Sequence, residues 1–187
     1  MSLPILLVIS GPPGTGKTTL AHALAKTVCC PAICRDEIKE GMVHSVANFV
    51  ARPGDPLTVR ATETFFAVLD LLIDNGVTLV AEAAFQDAVW RPALERLFGR
   101  ATVRVVHCVV DPEIAYARVR QRMEEQHASR AAHADAALLG APRTDGKHTA
   151  PFAPISLDVP VLNVDTSAGY RPGLAEIASF ARSAAAE

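Results

Sequence analysis

The chain has 187 residues, with 18 Lys and Arg against 20 Asp and Glu, a formal net charge of −2; half of it is hydrophobic and 20% is charged. That length reads as a single domain over 1–187 with a substantial core, and that balance excludes a global attraction to nucleic acid or an anionic membrane. No apolar run approaches the roughly 20 residues of a membrane helix, and no basic region precedes the first apolar stretch, so a cytoplasmic protein without a signal peptide is expected.

The first element is the apolar run Ile5-Leu6-Leu7-Val8-Ile9, which reads as a buried strand. Gly11-Pro12-Pro13-Gly14-Thr15-Gly16-Lys17-Thr18 follows and fits the pattern G-x-x-x-x-G-K-[ST] at every defined position. A helical pattern then runs from this loop to about residue 28. The chemistry explains the residue types. Glycines let backbone N–H groups approach a triphosphate, and the helix offers the positive end of its dipole. Lys17 is expected to reach the β- and γ-phosphate oxygens, and Thr18 to hold Mg²⁺ through its hydroxyl. Gly11 through Thr18, with the adjoining Thr19, are therefore the candidate nucleotide-binding residues.

A short strand over 32–34 follows Pro31. Arg35-Asp36-Glu37-Ile38-Lys39 then opens a second helix, with acids in its first turn. Arg52-Pro53-Gly54-Asp55-Pro56 is a loop, and 58–74 is a long amphipathic helix closed by Asn75-Gly76. Strand three is placed at 77–81, a helix at 87–98 ended by Gly99, and a valine-rich strand at 102–110. Asp111 caps the next helix with Pro112 at its first position. From 124 to about 154 the pattern weakens. A fifth strand is placed at 159–164 and a terminal helix at 172–186. This alternation predicts an α/β fold, with a parallel sheet covered by helices on both faces.

In such a sheet ligands sit at the carboxyl ends of the strands. Strand two delivers Asp36, a candidate general base for an attacking hydroxyl; its alternative reading is a helix N-cap. Strand three delivers Glu82, a candidate for orienting Mg²⁺ or binding the acceptor; the alternative is a carboxylate satisfied by N–H groups of Ala83-Ala84-Phe85. Asp111 reads as a cap alone. Arg118 and Arg122 share one helix face, and Arg130 lies eight residues further on. As a group they suggest a flap that lays positive charge over a transferring phosphoryl group, against the plainer reading of a solvated face paired with Glu124 and Glu125. Arg120 is assigned to the surface, and His127 and His133 receive no role. Phe85 and Trp90 either line an acceptor pocket or belong to the core. Cys29, Cys30, Cys34 and Cys108 form no C-x-x-C pair and read as reduced thiols, and the spacing of Cys29, Cys30 and Cys34 is poor for zinc.

Together these residues resemble the small P-loop kinases of the nucleoside-monophosphate-kinase-like group, in the AAA_33-type branch related to chloramphenicol phosphotransferase, zeta-toxin kinases and polynucleotide 5′-kinase domains. The resemblance is carried by Gly11 through Thr18, Arg35-Asp36-Glu37-Ile38, Ala81-Glu82-Ala83-Ala84-Phe85 with Trp90-Arg91-Pro92, Arg118 with Arg122, Arg130 with His133-Ala134-Asp135, and Val164-Asp165-Thr166-Ser167. It implies a three-layer P-loop NTPase fold with strand order 2-3-1-4-5, Asp36 as base, and an arginine-bearing lid over about 123–154. It also implies an adenine site between the start of the lid helix and the loop after strand five, near Arg118 and Thr166. Two positions depart from the family pattern: Ala83-Ala84-Phe85 replaces the usual Gly-Asn or Gly-Thr-Phe, and Ala131-Ala132 replaces Pro-Gly.

The leading expectation is an ATP- and Mg²⁺-dependent kinase acting on a small-molecule hydroxyl, monomeric or homodimeric, with Lys17, Asp36, Arg122 and Arg130 as the catalytic group. A 5′-hydroxyl kinase of nucleic acid would need a basic groove, which the mild acidity disfavours. A mechanical ATPase of the AAA+ kind would carry paired acids where this chain has Ala81-Glu82, and a further helical domain.

Overall fold

Strand β1 (Ile5–Ser10) is apolar along its whole length because it is covered on both faces. Its side chains alternate between two cores. Leu6 and Val8 pack with Phe65, Leu69, Trp90 and Leu94; Leu7 and Ile9 pack with Leu20, Leu24, Ile177 and Ala178. The computed structural model describes residues 2–52, 54–124, 132 and 152–183.

The described elements follow in chain order as α1 (Lys17–Val28), β2 (Ala32–Cys34), α2 (Arg35–Val43), α3 (Pro56–Asp74), β3 (Leu79–Glu82), α4 (Asp87–Glu95), β4 (Thr102–Val109), α5 (Pro112–Glu124), β5 (Val161–Asp165) and α6 (Leu174–Arg182). The five strands form one all-parallel sheet in the order β2-β3-β1-β4-β5. Helices α3 and α4 cover one face, and α1 and α6 the other. This is the three-layer arrangement that the alternating pattern and the family resemblance both imply. Among the described residues no helix is long and apolar enough to cross a membrane.

Several boundaries differ from those expected, each for a local reason. Helix α3 begins at Pro56 rather than 58, because Asp55 is its N-cap and accepts from the Thr58 N–H. Strand β3 begins at Leu79 rather than 77. The Val77 N–H still closes on the Leu72 carbonyl at the end of α3, and the Thr78 hydroxyl accepts from the Ile5 N–H at 3.0 Å. The same strand runs on through Glu82, so that the carboxylate belongs to the ladder and stands opposite Ile9. Helix α4 stops at Glu95, with a turn before Gly99. Strand β4 ends at Val109 rather than 110, since the Thr166 N–H closes on the Val109 carbonyl beyond it. Strand β5 spans Val161–Asp165 rather than 159–164, extended by the exchange of backbone hydrogen bonds between Asp165 and Arg171. Helix α6 starts at Leu174, two residues after Pro172. Most of the lid expected over 123–154 lies outside the described residues.

Helices α2 and α3 are joined by a buried ion pair. The Lys39 ammonium lies 2.7 Å from Asp55 and donates to the Thr58 hydroxyl at 2.8 Å, and both charged side chains are almost wholly buried. The Phe49 ring stands 5.7 Å from the same ammonium. Burial works against ionisation of Asp55, but hydrogen bonds from Lys39 and the Thr58 N–H, with the Lys39 charge, outweigh it and hold the carboxyl below its ordinary range. Removing one partner would strand the other charge in the interior. Asp55→Ala should therefore lower the unfolding free energy by about 3 kcal/mol at neutral pH. A carboxyl depressed in the folded state stabilises above its unfolded pKa and loses that effect as pH falls through the folded one. The gap between wild type and variant, read by urea denaturation, should accordingly close in acid. Equal stability at neutral pH would contradict this.

Candidate active site

The loop after β1 is shaped by what presses on it from behind. At Gly11 (φ +150°) an added Cβ would lie 2.7 Å from the Cys108 carbonyl oxygen, and at Gly14 (φ +82°) 2.5 Å from the Ala115 carbonyl oxygen in α5. Only glycine permits these approaches. Gly16, also left-handed at φ +73°, has open space around it and is the N-cap of α1.

The loop's outward carbonyls are held by the protein. The Thr15 hydroxyl donates to the Pro12 carbonyl at 2.8 Å, and the Thr166 hydroxyl donates to the Thr15 carbonyl at 2.8 Å. The Arg118 guanidinium bridges the carbonyls of Gly14 (3.4 Å), Thr166 (2.7 Å) and Ser167 (3.1 Å). Meanwhile helix geometry leaves the first N–H groups of α1 without partners inside the helix. The result is a concave backbone whose donors are available to an anion. The Lys17 ammonium donates to the Pro12 carbonyl at 3.0 Å, folded over the loop.

Glu82, at the carboxyl end of β3, is 2% exposed and accepts a hydrogen bond from the Thr18 hydroxyl at 3.2 Å. Burial pushes its carboxyl up; the Lys17 charge opposes the rise, the Asp36 charge adds to it, the Thr18 hydrogen bond opposes it and the Glu37 charge adds again. A hydroxyl and a carboxylate oxygen in contact are a hard donor pair, which fits Mg²⁺.

Asp36 is the second residue of α2, and the N-cap position belongs to Cys34. The capping alternative for Asp36 is thereby removed. Its carboxylate is half exposed and accepts from the Arg35 guanidinium at 2.8 Å. Arg35 is in turn anchored on α3, donating to the Thr58 carbonyl at 2.7 Å and the Thr62 hydroxyl at 3.3 Å. Asp36 is thus steered by a guanidinium that the fold holds in place.

A cleft of about 400 Å³ continues from the loop between α5 and the segment after β5, lined by Gly14, Gly16, Thr19, Arg118, Gln121, Arg122, Thr166, Gly169 and Tyr170. Arg122 is exposed at its rim, whereas Arg118 is partly buried and committed to carbonyls. Arg120 is on the surface near Glu124, at 3.6 Å. Asp111 caps α5, accepting from the Glu113 N–H at 2.8 Å. Arg130, His127 and His133 lie outside the described residues. Phe85 and Trp90 are buried in an aromatic cluster with Phe65, their own centroids 5.0 Å apart, and so belong to the core.

The sequence did not single out Tyr170, Gln121 or His107. Tyr170 and Gln121 reach the cleft only through the tertiary fold. His107 faces Phe152 in a stacked pair at 5.6 Å, and burial, followed by the Lys17 charge, pushes its pKa down. Its position inside a valine-rich strand carries no local signal.

Comparison with known proteins places this geometry. The family model AAA_33, described as an AAA domain, matches residues 6–139. The ESX-3 secretion system protein EccA3 of Mycobacterium leprae is 36% identical over 84 residues, which are 43% of this chain and 13% of that protein's length. Among solved structures, a candidate kinase from Chloroflexus aurantiacus superposes with TM-score 0.79 at 23% identity, over 97% of this chain and 98% of its own. The APS kinase CysC of Mycobacterium tuberculosis superposes at 0.59 with 14% identity over 96% of each chain. A sugar kinase from Janibacter superposes at 0.56 with 15% identity, over 95% of this chain and 92% of its own. The chain has the P-loop kinase fold.

Gly14 and Gly16 separate steric from conformational cost. Gly16→Ala should lower stability by about 1 kcal/mol, the penalty of the left-handed backbone alone. Gly14→Ala adds a collision with α5 and should cost more than about 2 kcal/mol. Chemical denaturation of both variants checks this; equal losses would contradict it.

Proposed function

We propose that this chain, which belongs to the AAA_33 family of AAA domains, is a phosphotransferase that moves the γ-phosphate of ATP to a hydroxyl of a small-molecule acceptor. The observation that carries the reading is the convergence of three strand ends. The glycine loop with Lys17 follows β1, Asp36 follows β2, and Glu82 ends β3 against Thr18.

Each residue has a task in this account. The loop N–H groups hold the phosphates, and Lys17 exchanges the Pro12 carbonyl for β- and γ-phosphate oxygens. Thr18 and Glu82 would hold Mg²⁺, which supplies positive charge to those oxygens when bound. The acceptor oxygen bonds to the γ-phosphorus as the bond to the β–γ bridging oxygen breaks. Asp36, oriented by Arg35, takes the hydroxyl proton. Arg122, which lines the cleft, and Arg130, in the expected lid, are assigned to compensate charge on the transferred group. Thr19, Thr166 and Tyr170 border the nucleoside, while Arg118 acts by bracing the loop. A nucleic-acid acceptor is disfavoured by the net charge of −2.

One observation favours a second reading. The match to a family model described as an AAA domain suits an ATPase module, in which water replaces the acceptor. The two separate in one experiment: incubation with γ-labelled ATP and Mg²⁺ beside pooled alcohols, sugars, nucleosides and 5′-hydroxyl oligonucleotides. Label should enter one small-molecule pool. Asp36→Asn should retain nucleotide affinity and slow turnover by about 10² to 10⁴, while Lys17→Ala should weaken nucleotide binding as well. Transfer by Asp36→Asn near the wild-type rate would remove Asp36 as base. Label appearing only as inorganic phosphate would favour the ATPase.

A further inference from the structure

Beside the oxygen-lined Thr18–Glu82 pair stands a group of different chemistry. His22 lies one helical turn beyond Thr18 on the same side of α1. Cys34 ends β2 and is buried, in register with Glu82. Glu37 lies in the first turn of α2. The His22 Nε2 is 2.7 Å from the Glu37 carboxylate and 3.8 Å from the Cys34 Sγ. One ligand atom from each residue lies within 4.8 Å of the other two.

We propose that His22, Cys34 and Glu37 form a binding site for a divalent transition-metal ion of the zinc class, separate from the magnesium pair. The donor set is one nitrogen, one sulfur and one oxygen, which zinc accepts and magnesium does not. Ligand bonds of about 2.0–2.3 Å in a tetrahedron place donors about 3.3–3.7 Å apart. The histidine–cysteine spacing already suits that figure. The histidine–glutamate pair must part by about 0.6 Å to suit it, and both side chains are roughly half exposed and free to do so. Three protein ligands leave a fourth position open to water.

This trio comes from α1, β2 and α2, so cysteine spacing alone does not reveal it.

Cobalt(II) serves as the probe, titrated without nucleotide or Mg²⁺ into a Cys29→Ser/Cys30→Ser protein, which removes the neighbouring thiols. The expected result is saturation near one equivalent, with a near-ultraviolet thiolate-to-cobalt band and the intense visible absorption of four-coordinate cobalt, both abolished by added Zn²⁺. His22→Ala, a surface change, should weaken affinity at least about tenfold. Cys34→Ala, checked for folding by circular dichroism, should lose the band. Glu37→Gln should weaken binding without removing the band, which provides a second test if the Cys34 variant unfolds. No saturable binding below about 1 mM, a full-strength band in folded Cys34→Ala, or unchanged affinity in His22→Ala would overturn the site.

Discussion

The loop between β1 and α1 depends on its carbonyls being held from behind. Thr166 takes the Thr15 carbonyl, and Arg118 ties Gly14 to the segment after β5. Glycines at 11 and 14 let β4 and α5 close to within contact of the loop backbone. Without those braces the N–H groups would not share one concave face, and an anion would have to order them at an entropic cost. The strand order is what makes the bracing possible. With β1 flanked by β3 and β4, and β5 beyond β4, the segments after β4 and β5 arrive behind the loop while those after β2 and β3 arrive before it.

The front of the loop is electrically uneconomical for a protein without a ligand. Glu82 is buried among Asp36, Glu37 and the Cys34 thiol, with Lys17 as the nearby compensating cation. Burial raises the Glu82 carboxyl, and a neutral side chain of the same shape would suit the fold better. A buried carboxylate in that setting is a candidate for binding positive charge. Lys39 and Asp55 show the contrast: theirs is a buried pair closed by its own hydrogen bonds, and it joins two helices without facing the cleft.

Much of this was legible in the sequence because it is local. The glycine loop announces itself by residue type and spacing, and the apolar strand before it is buried as expected. The doubly covered parallel sheet follows from the alternation of elements, and its order matches the one the family resemblance implies. What remained unread depends on contacts between distant residues. Asp36 carried two readings until the start of α2 at Arg35 put Cys34 in the capping position. Helical spacing paired Arg118 with Arg122, but it could not show that Arg118 is engaged by three carbonyls from two other segments. Tyr170 and His107 have no local signature, and the start of β3 shifted where a single backbone hydrogen bond finished the neighbouring helix.

The central claim is that the braced loop recognises the β- and γ-phosphates rather than the nucleoside. Calorimetric titration with ATP, ADP and AMP in the presence of Mg²⁺ tests it most directly. The account predicts saturable binding of ATP and ADP, with AMP weaker by at least about a hundredfold because it lacks the groups that Lys17 and the loop N–H donors meet. Binding of AMP as tight as that of ATP would show that the affinity resides in the cleft beside Tyr170, and the loop would lose its assigned role.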